Sequence, residues 1–401
     1  ELAGLDRTGP PVIVDRRLSS LWFGWSIRPI GWTMAAAWDP IAGDYRAADG
    51  WIKLHTNAPR HRAAALSVLG CEPTRETVAR AVARWNAQDL ESAVVTARGC
   101  AAAMRTADAW QRHPQGMAVN AEPLIAIDRG VAGPPSPWRP QPDRPLRGIR
   151  VLDLTRILAG PVATRFLAGF GADVLRVDPP EWDEPAITPD VTLGKRCVRL
   201  DLRDKAGRAK FERLLAGADV LVHGYRLGAL DALGYDSEAR EAIRPGLIDV
   251  SLNAYGHEGP WSSRRGFDSL VQMSCGIADT GMNWRQADQP CPLPVQALDQ
   301  ATGYLMAAAA VRGIHEKVRS GTSLRARLSL ARTAKLLMDH RPESISGGMA
   351  GGAEADHDDA IERTPWGPAR RLRPPASVED AALRWDLPAA ELGSGIAEWA
   401  A

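Results

Sequence analysis

Cysteine is scarce in this chain: five residues in 401 (Cys71, Cys100, Cys197, Cys275 and Cys291), far apart and without a CxxC pair. That argues against a zinc site and a disulfide framework, and it suits a reducing compartment, so no metal and a cytoplasmic location are expected. Lysine is scarcer still relative to its partner, supplying six of the 49 basic residues. With the abundant alanine, this fits a bias in the source genome rather than a function. Net charge is nearly absent, because 49 Lys and Arg face 48 Asp and Glu. The balance argues against a nucleic-acid binder, an acidic tail and a basic membrane-surface protein. No stretch of ~18 apolar residues is present, so no transmembrane helix is expected. The start, Glu1-Leu2-Ala3-Gly4-Leu5, is not a signal peptide and lacks an initiator methionine, which leaves the native N-terminus open.

Several familiar catalytic patterns are also missing. There is no GxSxG elbow, no HExxH and no GxxxxGK[ST]. Gly169-Phe170-Gly171 lacks a third glycine and falls at a helix end. A dinucleotide fingerprint needs its glycines at a helix start, so that reading is rejected.

What is present is ordinary globular material, 45% apolar and 24% charged, long enough for two or three domains with a large core. The segment from Gly133 to Pro145 is dense in proline, which excludes helix and central strand; it reads as an interdomain linker within 131–146. Before it, 47–130 reads as a small α/β unit. It has a strand at Trp51–His55, helices at 59–70, 75–86 and 88–97, and a short strand at Pro123–Ile127. After it, 147–340 repeats a βα pattern. Strands are expected at Ile149–Leu154, Asp173–Val177, Cys197–Leu202, Asp219–His223 and Gly246–Ser251. Helices are expected at 160–170 and Lys205–Ala216, with two long ones at about 267–278 and 298–318. Short apolar strands alternating with helices imply a parallel sheet covered on both faces, hence an α/β fold with a second, smaller α/β domain. Ligands in such sheets bind beyond the carboxyl ends of strands, which directs attention to the loops starting at Thr155, Asp178, Gly224 and Asn253. Residues 341–401 read as a mobile Gly/Ala/Asp-rich loop to about 360, then a tail bearing Trp366, Trp385 and Trp399 that wraps over other elements. Residues 1–46 are a separate N-terminal segment, in which Thr8–Leu18 weakly resembles Gly321–Leu330 as a turn, strand and helix start.

The informative stretches follow in order. They are Arg147-Gly148-Ile149-Arg150-Val151-Leu152 running to Gly160-Pro161, Gly171-Ala172-Asp173-Val174-Leu175-Arg176-Val177-Asp178-Pro179, and Gly194-Lys195-Arg196-Cys197-Val198-Arg199-Leu200-Asp201-Leu202. Then come Tyr225-Arg226-Leu227-Gly228-Ala229-Leu230, Gly256-His257-Glu258-Gly259-Pro260 leading to Arg265-Gly266-Phe267-Asp268, and Asp299-Gln300-Ala301-Thr302-Gly303. As an ordered set over about 180 residues they resemble the family III CoA-transferases, with which α-methylacyl-CoA racemases share a fold. Asp49-Gly50-Trp51 and Trp110–Gln115 resemble that family's small domain. The resemblance implies a Rossmann-like large domain, an interlocked homodimer, acyl-CoA and carboxylic acid as substrates, and no permanently bound cofactor. In the usual family order the small domain follows the nucleotide-binding domain; here it precedes it, which marks 1–46 as a remnant or permuted part of a large domain.

The resemblance assigns Asp299 as the nucleophile that attacks the acyl-CoA thioester and passes through an aspartyl-CoA thioester. The residues alone favour an Asp N-cap, the usual role of Asp at a helix start. A carboxylate is a competent covalent nucleophile, a helix N-terminus favours its ionised form, and Gly303 one turn later leaves room for a thioester. By the same resemblance Leu158, Lys195, Arg196, Gly224, Tyr225, Arg226 and Arg265 face CoA, the guanidinium forks suiting phosphate oxygens. Gly224, Pro179 and Ala232 depart from the pattern, standing where relatives often have Asn, a basic residue and Arg. The related racemases carry His immediately before the Asp of the GxD element, where Phe267 stands, so transfer is favoured over racemisation. A racemase or isomerase, and a non-catalytic CoA-binding subunit, remain the alternatives. His55, His61, His223 and His257 read as structural, and Thr280–Trp284 as a contributor to an acyl pocket or its cover.

Overall fold

The computed structural model describes residues 10–340 and 348–400. Thr8 and Gly9 of the weak repeat, and 341–347 of the expected loop, lie outside them. The N-terminal unit places a three-stranded antiparallel sheet, β1 (Gly43–Arg46), β2 (Trp51–Leu54) and β3 (Ala101–Ala103), against three helices. Of these α1 (Pro59–Leu69) starts on proline and closes on Gly70 in the left-handed conformation. The helix expected at 75–86 is shorter, Arg75–Val82, and the one expected at 88–97 forms one residue earlier, at Ala87–Thr96.

The main body is a seven-stranded sheet. Its strands are β4 (Ala126–Ala132), β5 (Arg150–Leu154), β6 (Asp173–Asp178), β7 (Lys195–Arg199), β8 (Val220–His223), β9 (Ile248–Asn253) and β10 (Thr322–Ser329), in the order β4-β10-β9-β8-β5-β6-β7. All neighbours run parallel except β4, which pairs antiparallel with β10. Successive strand residues serve opposite faces. Val151, Val174, Val220 and Ile248 pack on one side, Leu152, Leu175 and Leu221 on the other. The sheet is thus covered on both faces. Three helices matter for the site: α2 (Ala159–Gly169), α3 (Asp268–Ser274) and the 24-residue α4 (Ala297–Ser320).

Three expectations are corrected. The strand expected at 123–127 forms at 126–132 and is an edge of the large sheet, not part of the small unit. The proline-rich stretch therefore joins two strands of one sheet, β4 and β5. It is tied down by Arg144, which is buried and donates to the Gly169 and Arg384 carbonyls. The helix expected at 267–278 breaks at Gly276 (φ 85°), where any Cβ would lie 2.4 Å from the Ala107 amide nitrogen, and resumes as Ile277–Arg285. Trp284 on that second piece is exposed and is not among the residues that line the cleft beside Asp299.

In the tail the Trp385 indole donates to the Arg165 carbonyl and the Trp399 indole to the Leu214 carbonyl. The tail also knits with the N-terminal segment. Val12–Val14 pairs with Ala376–Val378, and Ile27–Pro29 with Gly367–Arg371. At their junction Asp190 is buried, accepting from the Ser26 amide and hydroxyl and from Arg165, with Arg371 at 3.3 Å.

Candidate active site

Strand order reverses at β5, whose neighbours β6 and β8 lead off in opposite directions, and the crevice beyond such a reversal is where open α/β sheets bind ligands. A cleft of about 350 Å³ opens there. The loop after β5 contributes Arg156 and Ile157, and the loop after β8 contributes Gly224, Tyr225 and Arg226. The small unit adds Arg60 and His61, and Asp299 from α4 lies on the wall.

Asp299 is the third residue of α4 and is 6% exposed. Its backbone amide donates to Asp268 Oδ2 at 2.9 Å, so the first turn of α3 caps the first turn of α4. Asp268 is itself held by Gln272, whose amide donates at 2.5 Å. Among the described residues the Asp299 carboxylate has neither an ion pair nor a hydrogen-bond donor. Burial, then the neighbouring Asp268 charge, push its pKa well above the usual carboxylate range. The expectation that a helix start keeps it ionised is therefore corrected for the ligand-free site: desolvation and a like charge outweigh the helix end.

Gly303 is also reassigned. A Cβ there would sit 2.5 Å from the Ala159 carbonyl oxygen and 2.9 Å from Val162, so the glycine exists to let α2 and α4 touch backbone to side chain. It opens no space for a thioester. Gly303→Ala is expected to force the helices apart and cost about 1–3 kcal/mol of stability, read as a lowered urea midpoint; an unchanged midpoint would contradict the close approach.

The cleft is strongly cationic. Arg156 lies over Trp182 at 4.6 Å and over Tyr225 at 5.1 Å, and donates to the Tyr225 hydroxyl at 3.2 Å. Arg264 is committed to Glu91 and the Ala101 carbonyl. Among the described residues, Arg60, Arg156, Arg226 and Arg265 have no carboxylate partner. Burial, followed by Arg226, lowers the pKa of Arg265. Unpaired guanidinium groups gathered in one crevice suit an anionic ligand. His61 is pushed down to about 4 by burial, with Arg60 and Arg265 adding to the effect, and so is neutral at pH 7.

Of the residues expected from sequence, Asp299, Gly224, Tyr225, Arg226 and Arg265 share this cleft. Three do not line it. Lys195 is fully buried at the start of β7, donating to Asp153 Oδ2 at 3.1 Å and to the Pro161 carbonyl at 2.9 Å. A cation spent on a buried carboxylate is not free for phosphate. Arg196 pairs with Asp173 at 2.7 Å and reaches the Glu398 carbonyl. Leu158 is buried as the residue before α2. His61 was read as structural, Arg60 was not singled out, and Arg156, Ile157 and Trp182 lie on two of the loops named from sequence without having been singled out themselves. His61 carried no signal, because its company comes from α1 packing against a loop some two hundred residues away. The other histidines are occupied elsewhere: His55 stacks on Phe267 at 3.8 Å, His223 faces Asp249 at 3.1 Å, and His257 meets the Leu328 carbonyl at 3.1 Å.

The model of CoA-transferase family III matches residues 146–363, more than half of the 401. The chain belongs to that family. An acyl-CoA transferase of Gibberella moniliformis is 28% identical over 311 residues, covering 71% of this chain and 54% of that protein. Mouse succinyl-CoA:glutarate CoA-transferase is 33% identical over 215 residues, covering 49% of each. The crystal structure of Rv3272 from Mycobacterium tuberculosis is 31% identical over 50% of this chain and 57% of that one, with a TM-score of 0.46. This family III chain thus spans about half the length of the curated relatives it matches. None of its helices, among the described residues, is long and apolar enough to cross a membrane.

Proposed function

We propose that this family III chain moves CoA from an acyl-CoA thioester to a carboxylic acid through Asp299. The observation that carries the reading is an unpartnered carboxylate on the wall of a cleft shared with four arginines that lack carboxylate partners. CoA brings both complements, a phosphate-rich head for the guanidinium groups and a thioester for the carboxylate.

In the proposed sequence the Asp299 carboxylate adds to the thioester carbonyl and expels CoA thiolate, leaving a mixed anhydride. The thiolate adds to the aspartyl carbonyl and releases the donor acid as its carboxylate. The acceptor carboxylate then attacks the aspartyl-CoA thioester, forming a second anhydride and freeing thiolate again. Attack of that thiolate on the acceptor's carbonyl yields the new acyl-CoA and restores Asp299. Each step exchanges one acyl bond for another, so a carboxylate that needs no external base suffices. Phe267, where related racemases place histidine, supports transfer over α-proton removal.

Intact mass spectrometry after mixing the protein with a panel of acyl-CoAs tests this. A covalent adduct that hydroxylamine discharges is expected. Its absence with every donor, together with solvent deuterium appearing at the α-carbon, would replace the reading with an isomerase.

A further inference from the structure

Ile157 has a backbone feature that the transfer chemistry does not explain. Its φ is +65°, a left-handed conformation that a β-branched residue essentially avoids. Such outliers persist only where the surroundings over-determine them, and they cluster at working sites. Ile157 lines the cleft, between Arg156 and the start of α2.

What holds it is visible. The Ile157 amide donates to Glu184 Oε2 at 2.7 Å. The other oxygen of Glu184 takes a guanidinium bond from Arg176, which is fully buried on β6 and also bound to both oxygens of Asp178. Glu184 lies on the loop after β6, the same loop that carries Trp182 to the cleft. The upstream end of the segment is fixed independently. Asp153 accepts from the Thr155 amide at 2.9 Å and hydroxyl at 2.5 Å, and also from Thr164 and Lys195. The downstream end abuts α4, since the Ala159 carbonyl is the atom that a Cβ on Gly303 would strike.

The geometry points to Glu184 as a positioning residue. Backed by Arg176, it latches Ile157 in its left-handed conformation and so fixes the four-residue turn that presents Arg156 to the ligand and seats α2 against the helix bearing Asp299. The role rests on the proposed transferase reading for its kinetic consequence but not for its structural one. Without the latch Ile157 relaxes toward negative φ, swinging Arg156 off the stack between Trp182 and Tyr225. The chemistry at Asp299 itself needs no group from Glu184, so the loss falls on capture of the CoA thioester.

Two measurements on the full chain separate the possibilities. In the ligand-free protein, hydrogen exchange should quicken at the amides of 155–158 in Glu184→Ala and be nearly restored in Glu184→Gln, which keeps an acceptor for the Ile157 amide. In turnover, Glu184→Ala should raise KM for acyl-CoA about tenfold or more with kcat within about threefold, and Ile157→Gly should recover part of it. Unchanged exchange at 155–158 in Glu184→Ala, or no recovery on adding Ile157→Gly, overturns the latch. A wild-type protein without turnover, alongside the expected exchange pattern, overturns the transferase reading and leaves the latch standing.

Discussion

Asp299→Ala is expected to lower the rate of transfer by roughly three orders of magnitude or more, as removal of a covalent nucleophile does, and to abolish the mass adduct. The same substitution should leave thermal stability unchanged or raise it. Asp299 is a buried carboxyl without a donor, pressed against Asp268, and relieving that arrangement removes a desolvation cost. Loss of activity with retained stability distinguishes a reactive group from a helix cap, whose removal would destabilise. Asp299→Asn, which keeps the shape and lacks the nucleophile, should behave alike. The pH profile has a defined sign. Burial and the Asp268 charge raise the Asp299 pKa, and only the ionised form attacks, so kcat/KM should rise with pH through that raised value and then level off. Full transfer activity in Asp299→Ala would end the mechanism.

Asp190→Ala should be the most damaging change away from the cleft. Arg165 and Asp190 are both fully buried and 2.6 Å apart, and Arg371 and Ser26 complete the cluster. Deleting the carboxylate strands the buried Arg165 guanidinium, while Arg371 keeps Glu362, and breaking a buried pair this way costs about 3–5 kcal/mol, measured as a fall in the urea midpoint. Burial opposes the Asp190 charge, but Arg165, Arg371 and Ser26 outweigh it, and the carboxyl is held below its ordinary range. A depressed carboxylate contributes fully above its unfolded pKa and loses that contribution as pH falls toward the folded one. The gap between wild type and Asp190→Ala should therefore be constant near neutrality and narrow below about pH 4. A gap that widens on acidification would mean that Asp190 is not the charged member of the cluster.

The sheet was readable where the chain announces itself locally. Lys205–Ala216 forms as expected because Asp204 caps its start, accepting from the Gly207 amide, and Phe211, Leu214 and Leu215 recur on one face. Asp173–Asp178 carries Val174, Leu175 and Val177 between turns. Asp299, Tyr225 and Arg226 were reached through the family resemblance, the last two on a loop to which the strand-end rule also directs attention. What failed was everything decided by partners distant in sequence. Lys195 looks free beside Arg196, yet Asp153 lies across two strands and claims it. Gly303 looked like space for a ligand, and only the approach of α2 shows it to be space for a helix. The strand at 126–132 follows the small unit in sequence but finds its hydrogen bonds on β10. Ile157 has no compositional mark of its left-handed backbone, since the Glu184 that holds it is 27 residues away.

The pairing of two segments so distant in sequence has a consequence for biogenesis. Val12–Val14 is made long before Ala376–Val378, the strand it hydrogen-bonds to. A ribosome releases residues at roughly 5–20 per second, so that strand waits tens of seconds, its three side chains exposed even in the finished molecule, before its mate emerges. Both units can consolidate meanwhile, and the belt that joins them is buckled only once Ala376–Val378 has emerged.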